Sequence, residues 1–257
     1  MPIDGRPIMR EAMTKHATVP SLFLAVLLSA PAAHAEPARD GVPSLLDWGR
    51  YLRGDGEPDV AEVGFEAAIE RAPTWPLPFL ERAELAVARR ESVAEARADL
   101  QRLEPANARM PRLHRLLGEL AELSGDDEAA ARSLGTALAL LPDQPQVRAR
   151  YAAVLARLSR HDQAATEYAR VMEDLPGDHG LRGRYADSLE GAGRYAEARR
   201  QHDLLVKQQP GKEAPLRQLA RFLERRGDRK GAAAVNAKAD GVSGKQRNLR
   251  PLPPSKF

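Results

Sequence analysis

Three prolines stand at one fixed interval in the second half of the chain, since Pro142, Pro176 and Pro210 are each 34 residues apart. An alanine stands twelve residues before each of these prolines. A recurring period of this length is typical of repeat proteins, in which every repeat is one supersecondary element. The chain is therefore expected to fold as a stack of similar repeats, and not around one central core.

Each repeat contains two apolar stripes separated by a turn residue. In the repeat from 145 to 178, the first stripe includes Ala152 and Leu155, and the second includes Ala164 and Tyr168. Apolar residues at steps of three and four indicate amphipathic helices. The Gly or Ser between the stripes suits a tight turn with left-handed backbone. The pattern therefore predicts two helices in every repeat.

This order of residues resembles the tetratricopeptide repeat, in which Leu-Gly, Tyr, Ala, Phe and Pro follow one another at fixed columns. One repeat upstream of the prolines matches nearly every column, with Trp48, Gly49, Leu52, Gly56, Ala61, Phe65, Ala68 and Pro73. The same register defines a solenoid over 42–240, with repeats at about 42–76, 77–110, 111–144, 145–178, 179–212 and 213–240. The resemblance implies an all-α fold, a right-handed α-solenoid of about six tetratricopeptide helical hairpins.

Two repeats depart from the family pattern. The repeat at 77–110 lacks the turn glycine and its Pro105 comes three residues early, so its hairpin is expected to end short or to be bent. In the last repeat, Asn236 stands where an aromatic residue is usual, and the closing proline is absent. The regular columns are explained by packing, because small residues such as Gly118 let two helices approach closely and aromatic residues such as Tyr168 fill the gap to the next hairpin. We expect these columns to be structural.

The beginning of the sequence has the composition of a secretory signal. Arg6, Arg10 and Lys15 precede an apolar run at 22–30. This run of about nine residues is too short to cross a bilayer, which needs about twenty. The small residues of Ala33-His34-Ala35 follow, at the positions that a signal peptidase reads.

We therefore expect residues 1–35 to be a signal peptide that is cleaved after Ala35, with an uncleaved anchor as the alternative. Translation could begin at Met1, Met9 or Met13. The sequence contains no cysteine, which excludes a disulfide and an acylated lipoprotein terminus. A soluble periplasmic protein of a Gram-negative bacterium is the expected product.

The charged residues are nearly balanced, with 39 Lys plus Arg against 36 Asp plus Glu. The segment 241–257 carries Lys245, Arg247, Arg250 and Lys256 and no acid. Without this tail and the basic leader, the repeats are slightly acidic, and no nucleic-acid partner is expected.

The glycines and prolines of 241–257 predict a basic, Pro-rich disordered tail. Alternatively, the tail docks on a partner as a polyproline-II segment or makes weak contact with an anionic surface.

The sequence offers little catalytic chemistry. It contains no Gly-rich phosphate loop, no histidine pair at metal spacing and no nucleophile elbow. His114, His161 and His179 fall at unrelated columns, while His202 occupies an aromatic packing column. We expect structural histidines, no metal, no cofactor and no enzymatic activity.

The resemblance places function in a concave groove lined by the first helix of each repeat. Carrying over the groove columns gives Arg112, Arg115, Glu119, Glu122, Gln146, Ala149, Ala153, Arg157, Gly183, Asp187, Glu190, Arg217, Arg221 and Glu224. The alternative for each charged residue is a solvated position on an exposed helix face. The mixed signs suggest a polar, extended protein ligand.

Two functions remain open for such a chain. The first is a non-enzymatic periplasmic scaffold for protein-protein interactions in a cell-envelope assembly, such as a pilus, secretion, motility or polysaccharide-export apparatus. The second is an accessory binding subunit of an envelope enzyme that acts on peptidoglycan or exported polysaccharide. The sequence identifies neither the partner nor the oligomeric state.

Overall fold

The computed structural model describes residues 42–248, and all regular secondary structure within them is helical. The proposed signal peptide lies outside the described residues, as do positions 249–257. The chain divides into two compact units, Met1–Asp126 and Asp127–Phe257, called here the N-terminal unit and the C-terminal unit. None of the helices in residues 42–248 combines the length and the apolarity that crossing a bilayer requires.

The N-terminal unit contains two complete helical hairpins and the first helix of a third. Its helices are α1 (Val42–Gly54), α2 (Pro58–Arg71), α3 (Pro76–Arg89), α4 (Val93–Leu103), a 3-10 helix (Glu104–Ala106) and α5 (Pro111–Leu123). Helix α1 packs against α2 and α3 against α4, while α5 packs against both α3 and α4. The predicted two-helix repeat is therefore present in this unit.

The C-terminal unit continues the same alternation of first and second helices. Its helices are α6 (Asp127–Leu140), α7 (Pro145–Arg157), α8 (His161–Asp174), α9 (His179–Gly191), α10 (Tyr195–Gln208), α11 (Glu213–Arg225) and α12 (Arg229–Asn248). Each of these helices packs against the next one in the sequence. The prediction of an all-α fold built from tetratricopeptide helical hairpins is confirmed.

Local sequence explains where many of these helices begin and how they turn. Helices α2, α3, α5 and α7 each begin with a proline, whose fixed φ suits the first helical position and whose missing N–H is not needed there. The turn between α9 and α10 contains Gly193 at φ 76°, and the turn between α7 and α8 contains Ser159 at φ 58°. The left-handed turns predicted for Gly or Ser are therefore confirmed at these positions.

The apolar columns form the core within each unit. In the C-terminal unit, Tyr168 is 1% exposed and packs in one cluster with Leu155 and Leu189. In the N-terminal unit, the fully buried Phe65 lies across from Gly49. A Cβ atom at Gly49 would stand 2.5 Å from Cε1 of the Phe65 ring, so α1 and α2 approach each other too closely for a side chain there.

The irregular second repeat ends short, as its early proline predicts. Helix α4 has 11 residues whereas α2 has 14, and Pro105 lies in the short 3-10 helix that follows α4. The side-chain amide of Asn107 donates a hydrogen bond to the backbone carbonyl of Leu103 at 2.9 Å. The ring Nε2 of the buried His114 lies 2.8 Å from the carbonyl oxygen of Ala108. His114 therefore fixes this loop and has the structural role expected of it.

The last helix corrects the predicted start of the tail. Helix α12 continues to Asn248, so residues 241–248 are helical and the expectation of a disordered tail from 241 is wrong for them. The Ser243 hydroxyl donates to the Glu213 carboxylate of α11 and lies 3.2 Å from the Ala239 carbonyl oxygen. These contacts hold the added turns, because glycines such as Gly241 weaken a helix by about 1 kcal/mol each without breaking it.

Only two of the four cations predicted for the tail lie in the described helix. Lys245 and Arg247 belong to α12, whereas Arg250 and Lys256 lie outside the described residues.

Candidate functional site

A buried carboxylate stands at the centre of the first-helix face in the N-terminal unit. Glu81 of α3 is 1% exposed, and its Oε1 accepts hydrogen bonds at 2.8 Å from Nη2 of Arg50 and from Nη2 of Arg112. The other oxygen, Oε2, lies 2.8 Å from Nη1 of Arg53. Since Arg50 and Arg53 belong to α1 and Arg112 to α5, this single carboxylate links three successive first helices.

A second carboxylate, Glu84, extends the network by one helical turn. It accepts hydrogen bonds from Arg53 Nη1 at 3.2 Å, from Arg112 Nε at 3.0 Å and from Arg115 Nη2 at 2.7 Å. Nη1 of Arg115 also donates to Glu119 at 3.1 Å. We call this set the arginine cluster; its members are Arg50, Arg53, Glu81, Glu84, Arg112, Arg115 and Glu119.

The arginine cluster is charged at neutral pH. Burial by itself would raise the pKa of Glu81, but hydrogen bonds from Arg112 and Arg50 outweigh it and lower that pKa. In the same way, desolvation opposes the charge of Arg112, and the hydrogen bonds to Glu84 and Glu81 raise its pKa. Glu81 and Glu84, whose pKa values are both lowered, are therefore ionised and surrounded by guanidinium groups.

The arginines of the cluster remain accessible, whereas Glu81 at its centre is almost fully buried. Their side chains are between 24% and 38% exposed, while the Glu81 side chain is 2% exposed. Ion pairs of this kind contribute little to stability, because desolvation of the buried partner offsets the attraction. The arrangement instead holds planar hydrogen-bond donors in fixed positions at the surface.

Sequence reasoning found only part of this cluster. Arg112, Arg115 and Glu119 are brought together as predicted partners on one face, and Glu122 is half-buried on the same helix. Glu81 was missed, although it stands 34 residues before Arg115 and so occupies the same column of the preceding repeat. The groove columns applied to the second repeat would have identified it.

A second group of titratable side chains lies in the C-terminal unit. Asp187 and Glu190 belong to α9 and His202 belongs to α10, and one ligand atom from each lies within 4.8 Å of those from the other two. We call these three residues the carboxylate-histidine cluster. Arg225 of α11 donates two hydrogen bonds to Glu190, at 2.9 and 2.6 Å.

His202 is the most unusual member of the carboxylate-histidine cluster. It is 2% exposed, and its ring packs against Phe222 with 5.1 Å between centroids. Neither of its ring nitrogens has a hydrogen-bond partner within residues 42–248. Burial lowers the pKa of His202, so the ring is neutral at pH 7.

The two carboxylates of this cluster have opposite pKa shifts. Desolvation raises the pKa of Asp187, and the nearby His202 and Arg225 only partly counteract it. Hydrogen bonding from Arg225 lowers the pKa of Glu190. Asp187 is thus the carboxylate whose charge is least compensated by the protein.

The other predicted groove residues of the C-terminal unit form separate contacts. Arg157 binds Asp127 through Nε and Nη2 at 2.9 and 2.7 Å. Arg217 pairs with Glu213 at 2.9 Å and with Asp240 at 2.7 Å.

Several predicted positions in this unit are exposed or lack a charge. Glu224 accepts a weak hydrogen bond from Asn236 at 3.3 Å. Gln146 and Arg221 are exposed, and Arg221 forms no hydrogen bond or ion pair with any residue that the structure describes. Ala149 is buried, while Ala153 and Gly183 are half-buried.

Solved structures of three proteins share this architecture. YrrB, described as a TPR protein with an unusual peptide-binding site, is 19% identical and has a TM-score of 0.61, covering 69% of this chain and 91% of its own. MamA from Desulfovibrio magneticus RS-1 is 20% identical with a TM-score of 0.57, covering 65% of this chain and 94% of its own. A tetratricopeptide repeat protein from Parabacteroides merdae is 17% identical with a TM-score of 0.53, covering 80% of this chain and 81% of its own.

No protein-family model matches the sequence, and no curated protein matches it either. At these levels of identity, the likeness to solved structures is a likeness of fold. It agrees with the repeat columns of the sequence and with the successive helical hairpins of each unit. The chain therefore has the tetratricopeptide-repeat fold.

Proposed function

We propose that this chain is a non-enzymatic periplasmic scaffold that binds protein partners in a cell-envelope assembly. The observation that carries the proposal is the arginine cluster, which places four accessible guanidinium groups on the first helices of the N-terminal unit. The assembly is of the kind represented by a pilus, secretion, motility or polysaccharide-export apparatus.

The arginine cluster favours a ligand that offers carboxylates or backbone carbonyls. Glu81 and Glu84 hold the guanidinium groups in place, so little side-chain entropy is lost when a ligand binds. Within residues 42–248, Nη2 of Arg53 and Nη1 of Arg112 have no acceptor, and these donors are free for a partner. A planar guanidinium with free N–H groups is well matched to the carbonyls and carboxylates of a protein segment.

The composition of the cluster favours an extended polar segment over an apolar helix. Its exposed part consists of the arginine heads and part of Glu84, and most large apolar side chains of the N-terminal unit are buried in its core, although Tyr51 is 67% exposed. A peptide mode of binding is also consistent with YrrB, a protein of the same fold that is described as having a peptide-binding site.

The periplasmic location rests on residues 1–35, which carry the basic leader, the short apolar run and the small residues before the proposed cleavage site. Osmotic shock of the native host is expected to release a mature protein that begins at Glu36. N-terminal sequencing of the released protein measures this directly. A purified protein that still begins at Met1, Met9 or Met13 would contradict export with cleavage.

The binding surface is tested by neutralising the free donors. The partner is first identified by crosslinking in envelope extracts and then purified. Replacing both Arg53 and Arg112 with glutamine is expected to lower the affinity for this partner by about tenfold or more, because charge-assisted hydrogen bonds are lost. Glu81 keeps Arg50 in the double variant, so circular dichroism should still show a folded protein, and urea melts should show a lower stability because the buried carboxylate has lost two counter-charges.

Two controls separate the cluster from other surfaces. Arg132→Gln removes an exposed arginine from the second helix α6 and should leave the affinity unchanged. A chain ending at Asn248 tests the contribution of the basic tail. If the partner binds the double variant as tightly as the unaltered protein, the arginine cluster is not the binding surface.

The identity of the captured protein then separates the two functions. A structural component of an assembly supports the scaffold, whereas an enzyme acting on peptidoglycan or exported polysaccharide identifies an accessory binding subunit.

A further inference from the structure

We propose that Asp187, Glu190 and His202 bind a divalent transition-metal ion of the borderline kind, such as Zn²⁺, that accepts both imidazole and carboxylate ligands. The proposal rests on the position of three potential ligand atoms within 4.8 Å of one another. It is independent of the arginine cluster, which lies in the other unit, and of the protein-binding function.

The buried imidazole points to a ligand. An unpartnered polar group in the protein interior is costly, and buried polar groups almost always have partners. His202 is only 2% exposed, and neither of its ring nitrogens has a hydrogen-bond partner among the described residues. A metal ion bound to one nitrogen would satisfy the ring, and the neutral imidazole favoured by burial is the form that binds metals.

Packing alone does not require this histidine. Tyr168 stands 34 residues earlier, at the same column of the preceding repeat, and it fills that column as a buried aromatic side chain. A tyrosine or phenylalanine at position 202 would pack in the same place without two unpaired nitrogens. The choice of histidine therefore indicates chemistry beyond the filling of space.

The combination of two carboxylates with a histidine is particular to this repeat. Asp187 and Glu190 are three residues apart on α9, so both side chains lie on the same helix face. In the preceding repeat, the same two columns hold Ala153 and Ala156. In the repeat before that they hold Glu119 and Glu122, but Leu134 stands at the histidine column. The acidic pair and the histidine thus occur together in one repeat, where α9 and α10 bring them into contact.

The charges around the cluster suit a cation. Asp187 and Glu190 contribute two negative charges, and Arg225 compensates one of them through Glu190. Asp187 forms no ion pair with any residue that the structure describes, and Arg225 only partly counteracts the desolvation that raises the pKa of Asp187, a cost that a bound cation would offset. Arg225 fixes the orientation of Glu190 through hydrogen bonds, as groups hydrogen-bonded to metal ligands usually do.

The proposal is tested with the full-length protein carrying no affinity tag. Isothermal titration with Zn²⁺ near pH 7.5 is expected to show one bound ion per chain, and Co²⁺ should produce a visible absorption band from an imidazole-containing site. His202→Phe, which restores an aromatic residue to the packing column, should abolish both signals. Asp187→Asn should weaken Zn²⁺ binding by at least about tenfold.

Stability measurements distinguish the loss of the metal site from a general loss of folding in the His202→Phe variant. Zn²⁺ should raise the melting temperature of the unaltered protein, because an ion that binds only the folded state stabilises it. The metal-free His202→Phe variant should melt at the same temperature as the unaltered protein or higher, and Zn²⁺ should not shift it.

A surface histidine provides the matched control. His179 is exposed at the start of α9, and His179→Ala should bind Zn²⁺ with unchanged stoichiometry and affinity. The proposal is overturned if the unaltered protein shows no saturable Zn²⁺ binding, or if His202→Phe binds Zn²⁺ as the unaltered protein does.

Discussion

Replacing Tyr168 with alanine is expected to lower the free energy of unfolding by about 3–5 kcal/mol. The ring is 1% exposed and packs in the core of the C-terminal unit against residues of the neighbouring helices, including Leu155 and Leu189. Truncation removes the transfer free energy of an aromatic side chain and leaves a cavity that the surrounding helices fill only in part. Urea-induced unfolding, followed by circular dichroism, measures the change.

Asn236 provides the control, because it stands at the same column two repeats later. It is half-buried on α12, and its side chain has only long hydrogen bonds of 3.3 Å, to Arg217 and Glu224. Asn236→Ala is expected to cost about 1 kcal/mol or less. Equal losses for the two variants would show that the assigned column does not have the same packing role along the chain.

Gly49→Ala is expected to destabilise the protein by about 1–3 kcal/mol, although alanine is the better helix former. A Cβ atom there would stand 2.5 and 2.8 Å from two carbons of the Phe65 ring and 3.2 Å from the Ala61 carbonyl oxygen. Since Phe65 is fully buried, its ring has no free space into which it could move. The overlap therefore forces α1 and α2 apart.

Gly54 lies on the same helix and gives the opposite expectation. A Cβ atom at Gly54 meets no atom within 4 Å, so Gly54→Ala should be neutral or should gain up to about 1 kcal/mol from helix propensity. Thermal and urea unfolding of the pair separates steric overlap from propensity. A Gly49→Ala variant as stable as Gly54→Ala would contradict the close approach of the two helices.

The elements of the fold were predictable because the repeat pattern is local. The apolar spacing that contains Tyr168 determines a helix within a few turns of chain, and the turn at Ser159 follows from the requirement for left-handed backbone between two helices. The early Pro105 likewise predicted the shortened α4. Each of these features depends on residues that are close in sequence.

The arginine cluster could be predicted only in part because its geometry is tertiary. On its own helix, Glu81 has the pattern of a solvated carboxylate. It is buried because arginines on α1 and α5, each 31 residues away, fold over it. Nothing within α3 indicates that these side chains reach the same oxygen.

The carboxylate-histidine cluster and the end of α12 were missed for the same reason. The column of His202 correctly indicates a packed ring. The carboxylates beside this ring belong to another helix, α9, so the contact between them is not visible in the sequence of α10. The glycines after Asp240 favour the end of a helix, and the contact from Ser243 to Glu213 of another helix overrides that preference.

Sharing one carboxylate among three first helices has a consequence for how the N-terminal unit opens. In a stack whose hairpins contact only their immediate neighbours, the terminal hairpin can fray without disturbing the third one. Here, loosening α1 withdraws Arg50 and Arg53 from Glu81 and leaves α3 and α5 with a buried carboxylate that has lost most of its counter-charge. Helix α1 is thereby tied to the interior of the N-terminal unit, and the three helices are expected to open together as one cooperative block.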